Sequence, residues 1–211
     1  MEPWVYSLYI HVPFCRGLCD YCDFYSLPVK RSDPRLRLFI RRLLGDGERL
    51  FRDFPPLRVP TLYIGGGTPS VLGAEGIAML LGGLGDLFDR VRLTWPGEVT
   101  LEANPESVDR AFLGALRAGG VTRVSLGVQS FHGPARRAVH RRGAVSGLEE
   151  KLALVSAYYP RNFSADLMTG LPFQDESVLL RDIERLIRFE PAHVSLYALT
   201  VEEGTPLGKA P

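Results

Sequence analysis

The chain has 211 residues, a hydrophobic share of 45%, a charged share of 23% and a net charge of +1. A chain of this length can bury the core of one domain, and the composition is typical of soluble globular proteins. The near-zero charge gives no electrostatic reason to expect a nucleic acid or an anionic membrane as partner. No apolar run of about 20 residues predicts a transmembrane segment, and residues 1–8 lack the basic and apolar regions of a signal peptide.

All the cysteines lie in one short stretch after the apolar run Ser7–Val12. They are Cys15, Cys19 and Cys22, spaced C-x3-C-x2-C. An odd count disfavours a disulfide framework, whereas thiolates are soft ligands that suit iron–sulfur clusters or zinc. Because structural zinc normally takes four protein ligands and a cubane cluster has four irons, three thiolates favour a cluster with one iron left open. The alternative is a zinc-binding protein with His11 or Asp20 as the fourth ligand.

The lack of an export signal also bears on these cysteines. Thiols stay reduced in the cytosol and form disulfides in oxidising compartments. The sequence therefore predicts a cytoplasmic protein, and a reducing compartment also suits an oxygen-sensitive cluster.

Short apolar runs alternate with longer amphipathic ones, which predicts β/α units around a parallel sheet. The predicted strands are Ser7–Val12, Thr61–Ile64, Glu98–Ala103, Thr122–Val128, Asn162–Met168 and His193–Thr200. The predicted helices are Asp33–Phe54, Ala74–Phe88, Ser107–Ala118 with Ser107 as N-cap, Ser146–Tyr158 and Ser177–Phe189. The expected fold is α/β, a (β/α)6-like partial TIM barrel in one domain over residues 1–211. A sixth helix is not expected before Pro211, so apolar surface on the sixth strand should be exposed.

Polar or glycine-rich residues end five consecutive predicted strands. They are the cysteine stretch, Gly65–Ser70, Glu102–Pro105, Gln129–Ser130 and Asp166. In parallel β/α barrels the reactive groups lie at the carboxyl ends of the strands and in the loops that follow, so we expect these residues to share one site. Within this set, Asn104 with Pro105 favours a turn.

Each of these motifs also has an ordinary structural interpretation. Gly65–Gly67 lets a ligand approach the backbone, or makes a plain turn. Glu102 could bind an ammonium or a ribose, or be a solvated carboxylate. Gln129 suits a ribose hydroxyl or a core amide, and Arg141 suits a ligand carboxylate or the protein surface. Asp166 lies in an apolar strand, where burial requires a partner.

Taken together, these residues are similar to the oxygen-independent coproporphyrinogen III oxidase-like radical S-adenosylmethionine (SAM) proteins. The matching stretches are Leu8–Phe24, Tyr63–Ser70, Leu101–Pro105, Val124–Phe131, His140–Arg141, Asp166–Pro172 and Ser195–Thr205. The resemblance implies that the three cysteines bind a 4Fe–4S cluster and that SAM chelates the fourth iron. It also implies the SAM contacts Tyr9, Tyr21, Gly66, Gly67, Thr68, Glu102, Gln129, Arg141 and Asp166. The superfamily reaction is reduction of SAM to methionine and a 5′-deoxyadenosyl radical.

The resemblance also distinguishes two branches of the family. The decarboxylating oxidases usually carry a further cysteine two residues after the third, and that position is Phe24 here. Phe24, Glu102–Pro105 and Gly127–Phe131 look like the heme chaperone (HemW-like) branch, whose members bind heme and pass it to acceptor proteins. The implied partners are heme or porphyrin, a heme-acceptor protein and an electron donor such as flavodoxin or ferredoxin. Family members continue with a C-terminal domain that contributes heme contacts, so a C-terminally truncated core is expected; oxidase activity is the alternative.

Overall fold

The computed structural model describes residues 4–52 and 57–209. Its main sheet contains six strands, all paired in parallel, and each strand lies beside its neighbours in sequence. These strands are β1 (Leu8–Val12), β2 (Thr61–Gly66), β3 (Glu98–Ala103), β4 (Arg123–Gln129), β5 (Phe163–Thr169) and β6 (His193–Ala198). The predicted strand Glu98–Ala103 coincides with β3, and the other five differ from the observed strands by one or two residues at their ends. The predicted (β/α)6-like partial barrel is confirmed.

Helices connect the strands of the sheet. They are α1 (Pro34–Arg52), α2 (Gly73–Arg90), α3 (Arg110–Ala118), α4 (Gly133–Ala138), α5 (Leu148–Tyr158) and α6 (Glu176–Ile187). The predicted end of α1 at Phe54 lies outside the described residues. The short α4 was not predicted, because six residues that begin with Gly133 and Pro134 give no apolar period. Between β6 and residue 209, the described chain forms turns and no helix.

The predicted N-cap at Ser107 is wrong. Pro105–Ser107 forms a 3-10 turn, in which the Ser107 amide donates to the Asn104 carbonyl oxygen at 2.9 Å. Helix α3 begins at Arg110 because the residue before it, Asp109, caps the helix: its Oδ1 accepts from the Phe112 amide at 2.7 Å. Ser107 and Asp109 are thus both candidates for the N-cap, and only the Asp109 side chain accepts from a free amide of the helix, that of Phe112.

Helix α2 passes between α1 and α3 and supplies much of the core. Its buried side chains include Ile77, Leu80, Leu84 and Phe88. Within the described residues, the stretch Pro69–Arg90 is the one helix long and apolar enough to cross a membrane by length and composition. Half of its most apolar window is buried inside the fold, so its hydropathy is accounted for by packing against the sheet and the neighbouring helices.

Strand β6 is the most exposed strand of the main sheet. Leu196 and Tyr197 are 51% and 56% exposed. The exposure of Leu196 agrees with the expectation that apolar surface of the sixth strand would be in contact with solvent, whereas Tyr197 lines the cavity at the carboxyl edge of the sheet.

The cap of α3 provides a test of this local structure. Asp109→Ala should lower the free energy of unfolding by about 1 kcal/mol, because the Phe112 amide loses its acceptor. Asp109→Asn should leave stability nearly unchanged, because asparagine caps helices as well as aspartate does. Urea denaturation followed by circular dichroism measures both. Equal losses in the two variants would contradict the assignment of the cap.

Candidate cofactor site

A cavity of about 440 Å³ opens at the carboxyl edge of the sheet, a volume within the range of small-molecule sites. Its wall contains eleven of the twelve residues expected to bind the cluster or SAM. They are Cys15, Cys19, Tyr21, Cys22, Gly66, Gly67, Thr68, Glu102, Gln129, Arg141 and Asp166. The structure therefore brings together residues from the cysteine stretch, four successive strand ends and the connection between α4 and α5.

The cysteine loop (residues 15–26) is held at both ends by backbone hydrogen bonds. Phe14–Cys15 pairs in parallel with Leu27–Pro28, and the Leu27 amide donates to the Pro13 carbonyl oxygen at 2.9 Å. In the middle of the loop, the Asp20 amide donates to the Val139 carbonyl oxygen at 3.1 Å. These bonds fix the loop over the mouth of the cavity and keep its three thiols on one wall.

A chain of polar contacts joins two of the cysteines across the cavity wall. The Cys15 Sγ lies 3.2 Å from the Thr68 hydroxyl, which accepts from the Asn104 Nδ2 at 3.2 Å. The Asn104 Oδ1 in turn accepts from the Arg141 Nη2 at 2.7 Å. The Arg141 Nη1 ends this chain of contacts 3.7 Å from the Cys19 Sγ. Four segments far apart in sequence therefore set the position of the thiols.

Arg141 is charged despite its burial. Burial lowers the pKa of Arg141, but the neighbouring Tyr21, Cys19 and Glu106 outweigh that effect, so the pKa is raised overall. Burial also raises the pKa of the Cys22 thiol, and the other two cysteines raise it further. Ionisation of this thiol is therefore unfavourable in the protein alone. Iron that binds the sulfurs displaces their protons and so stabilises the ionised form.

Three buried polar atoms on the wall have no partner within the described residues. They are the Gln129 Oε1, a hydrogen-bond acceptor, the Arg141 Nε, a donor, and the Ser26 hydroxyl oxygen. Buried polar groups are normally satisfied, so unpartnered ones mark a place where a ligand can bind. Gln129 also has a φ of +69°, at a register irregularity between β4 and β5. This conformation is uncommon for residues with a side chain and occurs often at functional sites.

Gly66 and Gly67 leave room that no other residue would leave. Gly66 has a φ of +112°, and a Cβ there would lie 2.9 Å from the His11 ring. At Gly67 a Cβ would lie 2.6 Å from the Phe14 carbonyl oxygen and 2.8 Å from the Ser26 Cβ. The backbone after β2 thus approaches the cysteine loop too closely for a side chain. Together with the soft thiols and the unpartnered polar atoms, this cradle fits a cluster and a polar nucleotide-like ligand.

Glu102 lies at the end of β3 and is fixed by two donors. The Tyr63 hydroxyl donates to its Oε1 at 2.7 Å, and the Gly66 amide donates to its Oε2 at 3.2 Å. Burial raises the pKa of Glu102; these two bonds lower it, and the nearby Asp166 raises it. The two bonds hold the carboxylate in place. Because the net shift of its pKa is upward, Glu102 is less acidic than an exposed glutamate.

Asp166 has polar neighbours on the adjacent strands and across the cavity. Burial raises the pKa of Asp166, while the neighbouring hydroxyls of Ser195 and Ser125 and the charges of His193 and Arg141 oppose that shift. The side chain lies on the same cavity wall as Gln129. Two carboxyl groups with raised pKa values in one cavity are typical of a functional site.

The two candidates for a fourth zinc ligand already have partners. The His11 Nε2 donates to the Tyr25 carbonyl oxygen at 2.9 Å, and its Nδ1 accepts from the Tyr9 hydroxyl at 3.1 Å. The Asp20 Oδ2 lies 2.5 Å from the His140 Nδ1. Because both side chains are engaged by these partners, the zinc interpretation is not favoured.

Tyr9 is the expected SAM contact that does not lie on the cavity wall. Its ring stacks on Tyr63 with centroids 6.1 Å apart, it is 54% exposed, and its hydroxyl is bonded to His11. Its assignment as a SAM contact stays a prediction.

Sequence reasoning missed some residues of the wall. Asn104 was interpreted as part of a turn, yet its amide bridges Thr68 and Arg141. Ser125 and Gly127 line the cavity on β4, two residues apart as residues on one face of a strand must be. Counting back from Gln129 in steps of two reaches Gly127 and then Ser125, so the strand period could have identified Ser125 as a residue of the cavity wall.

Comparison with known proteins places the chain in a family. The pattern of the Radical SAM superfamily matches residues 9–202, and the chain belongs to this superfamily. The curated heme chaperone HemW of Escherichia coli (strain K12) is 37% identical over 97% of the chain. Radical S-adenosyl methionine domain-containing protein 1, mitochondrial, of Bos taurus is 36% identical over 95% of it. The solved coproporphyrinogen III oxidase (HemN) from E. coli matches 96% of the chain with a TM-score of 0.83 and 26% identity.

These matches confirm the resemblance predicted from the sequence. The chain covers 53% of the E. coli heme chaperone and 44% of the bovine protein, and 45% of the oxidase chain. It thus spans about half the length of the curated relatives it matches. The activities and partners of whole relatives are for this reason treated as proposals.

The close approach at Gly67 gives a test of the cradle. Gly67→Ala should reduce the iron retained after anaerobic reconstitution, because the added Cβ displaces the Phe14 carbonyl and with it the cysteine loop. Gly82→Ala is the control, since no atom lies within 4 Å of a Cβ at that position. Iron and sulfide analysis per protein measures both. Equal iron content in the two variants would contradict the tight fit.

Proposed function

We propose that this chain is the SAM- and cluster-binding core of a heme chaperone-like protein. The observation that supports it most directly is that three thiols, a glycine cradle and polar strand ends line one cavity. Cys15, Cys19 and Cys22 would each bind one iron of a 4Fe–4S cluster, which leaves the fourth iron to SAM. When bound, the cluster supplies one electron to the sulfonium of SAM. The protein seats SAM in the cavity, orients it and excludes water.

The polar groups of the cavity have distinct roles in this proposal. Arg141 pairs with the methionyl carboxylate through its planar guanidinium. The free Gln129 Oε1 accepts a hydrogen bond from a ribose hydroxyl. Glu102 accepts from the methionyl ammonium or the ribose, and the backbone of Gly66 and Gly67 lies against the polar end of SAM. Each role uses an atom on the cavity wall.

The heme chaperone interpretation is preferred to the oxidase interpretation for two reasons. The curated heme chaperone HemW of E. coli is 37% identical to the chain, whereas the solved oxidase is 26% identical. Phe24, 71% exposed beside the cavity, stands where the oxidases usually carry a further cysteine. The proposed partners are heme, a heme-acceptor protein and a flavodoxin or ferredoxin as electron donor. The proposed compartment is the cytoplasm, which keeps the thiols reduced.

Titration with SAM tests the proposed core. The anaerobically reconstituted and reduced protein should give the electron paramagnetic resonance signal of a reduced cluster, and SAM should change that signal by binding the open iron. Cys19→Ala should abolish the signal. A spectrum that SAM leaves unchanged would count against the proposal, and zinc retained through aerobic purification in place of iron would refute it.

The raised pKa of Glu102 predicts how SAM binding depends on pH. As pH falls through this raised pKa, the carboxylate takes up a proton and loses the charge that attracts an ammonium. The dissociation constant for SAM should therefore increase as the pH falls, and the increase should begin at a higher pH than the range where an exposed glutamate titrates. Calorimetric titrations of SAM into the reconstituted protein measure this trend.

Glu102→Gln is the matched control for this trend. The amide keeps the shape of the side chain but does not titrate, so binding should be weaker at high pH and nearly independent of pH. A pH dependence as steep as that of the unmodified chain would assign the trend to another group.

A further inference from the structure

Arg136, in α4, is an arginine with only 3% of its surface exposed. Its guanidinium makes four hydrogen bonds, all to backbone carbonyl oxygens. The Nη1 donates to Val128 at 2.6 Å and to Ser130 at 3.2 Å, and the Nη2 donates to Arg142 at 2.7 Å and to Gly143 at 3.2 Å. Removing a guanidinium from water is costly, and these bonds offset that cost only while both segments keep their positions.

The four acceptors belong to segments that carry two cavity residues. Val128 and Ser130 flank Gln129, and Arg142–Gly143 directly follows Arg141. One guanidinium therefore joins the end of β4 to the connection between α4 and α5 without itself lining the cavity. We propose that Arg136 is a positioning residue, which fixes Gln129 and Arg141 relative to each other and thereby sets the affinity for SAM. This inference rests on the proposed function.

The shape of arginine explains why this position needs that residue. Its planar fork has two nitrogens that donate in fixed directions, so one side chain can bind two segments at once, whereas the lysine ammonium cannot reproduce that geometry. The connection also lies close against the guanidinium. Gly143 has a φ of +84°, and a Cβ there would lie 3.4 Å from the Arg136 Nη2 and 3.2 Å from the Glu106 Oε2.

Asp182, in α6, holds only the first of the two segments. Its Oδ1 accepts from the Phe131 amide at 3.1 Å, and its Oδ2 accepts from the Ser130 hydroxyl at 2.5 Å. It has no hydrogen bond in the described structure to the connection that carries Arg141. Asp182→Asn is therefore a control that disturbs the Gln129 segment alone.

Hydrogen–deuterium exchange tests the positioning role without any cofactor. In Arg136→Met, the backbone amides of residues 128–132 and of residues 141–145 should both exchange faster than in the unmodified chain. In Asp182→Asn, only the first of these segments should change. If Arg136→Met accelerates neither segment, or accelerates the whole chain uniformly, the positioning role is refuted.

SAM affinity tests the consequence for binding. Arg136→Met should weaken SAM binding about 10- to 100-fold, as removal of groups that orient a first ligand shell does, with cluster content unchanged. Val155→Ala removes part of a fully buried side chain of α5 away from the cavity. It should leave SAM affinity within about twofold, since distant sites behave independently.

A double variant shows whether Arg136 acts through Arg141. Arg136→Met combined with Arg141→Lys should bind SAM no more weakly than the weaker single variant, to within about twofold. Additive losses would overturn the inference, as would an equal loss of affinity in Val155→Ala. If Arg136→Met does not fold, Arg136→Lys replaces it and should show the same pattern at smaller amplitude.

The failure of this inference is distinguishable from the failure of the proposed function. An unmodified chain that does not bind SAM refutes the proposed function, whatever the variants do. An unmodified chain that binds SAM, together with an Arg136→Met variant that binds it equally well, refutes only the role of Arg136.

Discussion

The parallel register of the six strands is the constraint on which the site depends. Glu102 lies opposite Ser125, and Asp166 lies opposite both Gly127 and Ser195. Because side chains alternate between the two faces of a strand, a shift of one residue would turn any of these groups away from the cavity. The register is held by the residues between them, whose side chains are buried on the other face of the sheet. Leu101 and Leu126 are two of these, and both are fully buried. Hydrophobic packing on one face thus determines polar geometry on the other.

Much of this arrangement could be predicted, because it follows from local patterns. The alternation of apolar runs identified six strands in sequence, and parallel strands must bring their carboxyl ends to the same edge. Residues at those ends, such as Glu102 and Asp166, were therefore expected in one cavity before any contact was known. The cysteine spacing added the class of cofactor, since three thiolates leave one iron of a cubane without a protein ligand.

The rest depends on contacts between distant segments. Asn104 precedes a proline, so the sequence indicates a turn, and its bridge between Thr68 and Arg141 follows from the tertiary fold. Arg136 is one arginine in an arginine-rich chain, and nothing local distinguishes it from a surface charge. Its burial could not be predicted, because α4 is too short to be recognised and because its acceptors are carbonyl oxygens, which every residue has. Ser107 and Asp109 are both good capping residues, and the choice between them depends on the turn that precedes α3.

The anchoring of the cysteine loop has a consequence for how a metal centre would assemble. The pairing of Phe14–Cys15 with Leu27–Pro28, and the bond from Asp20 to Val139, are interactions between protein groups alone. These contacts offset part of the conformational entropy that ordering the loop costs. A chelating loop held by such contacts would retain more of the free energy of its metal–sulfur bonds as affinity.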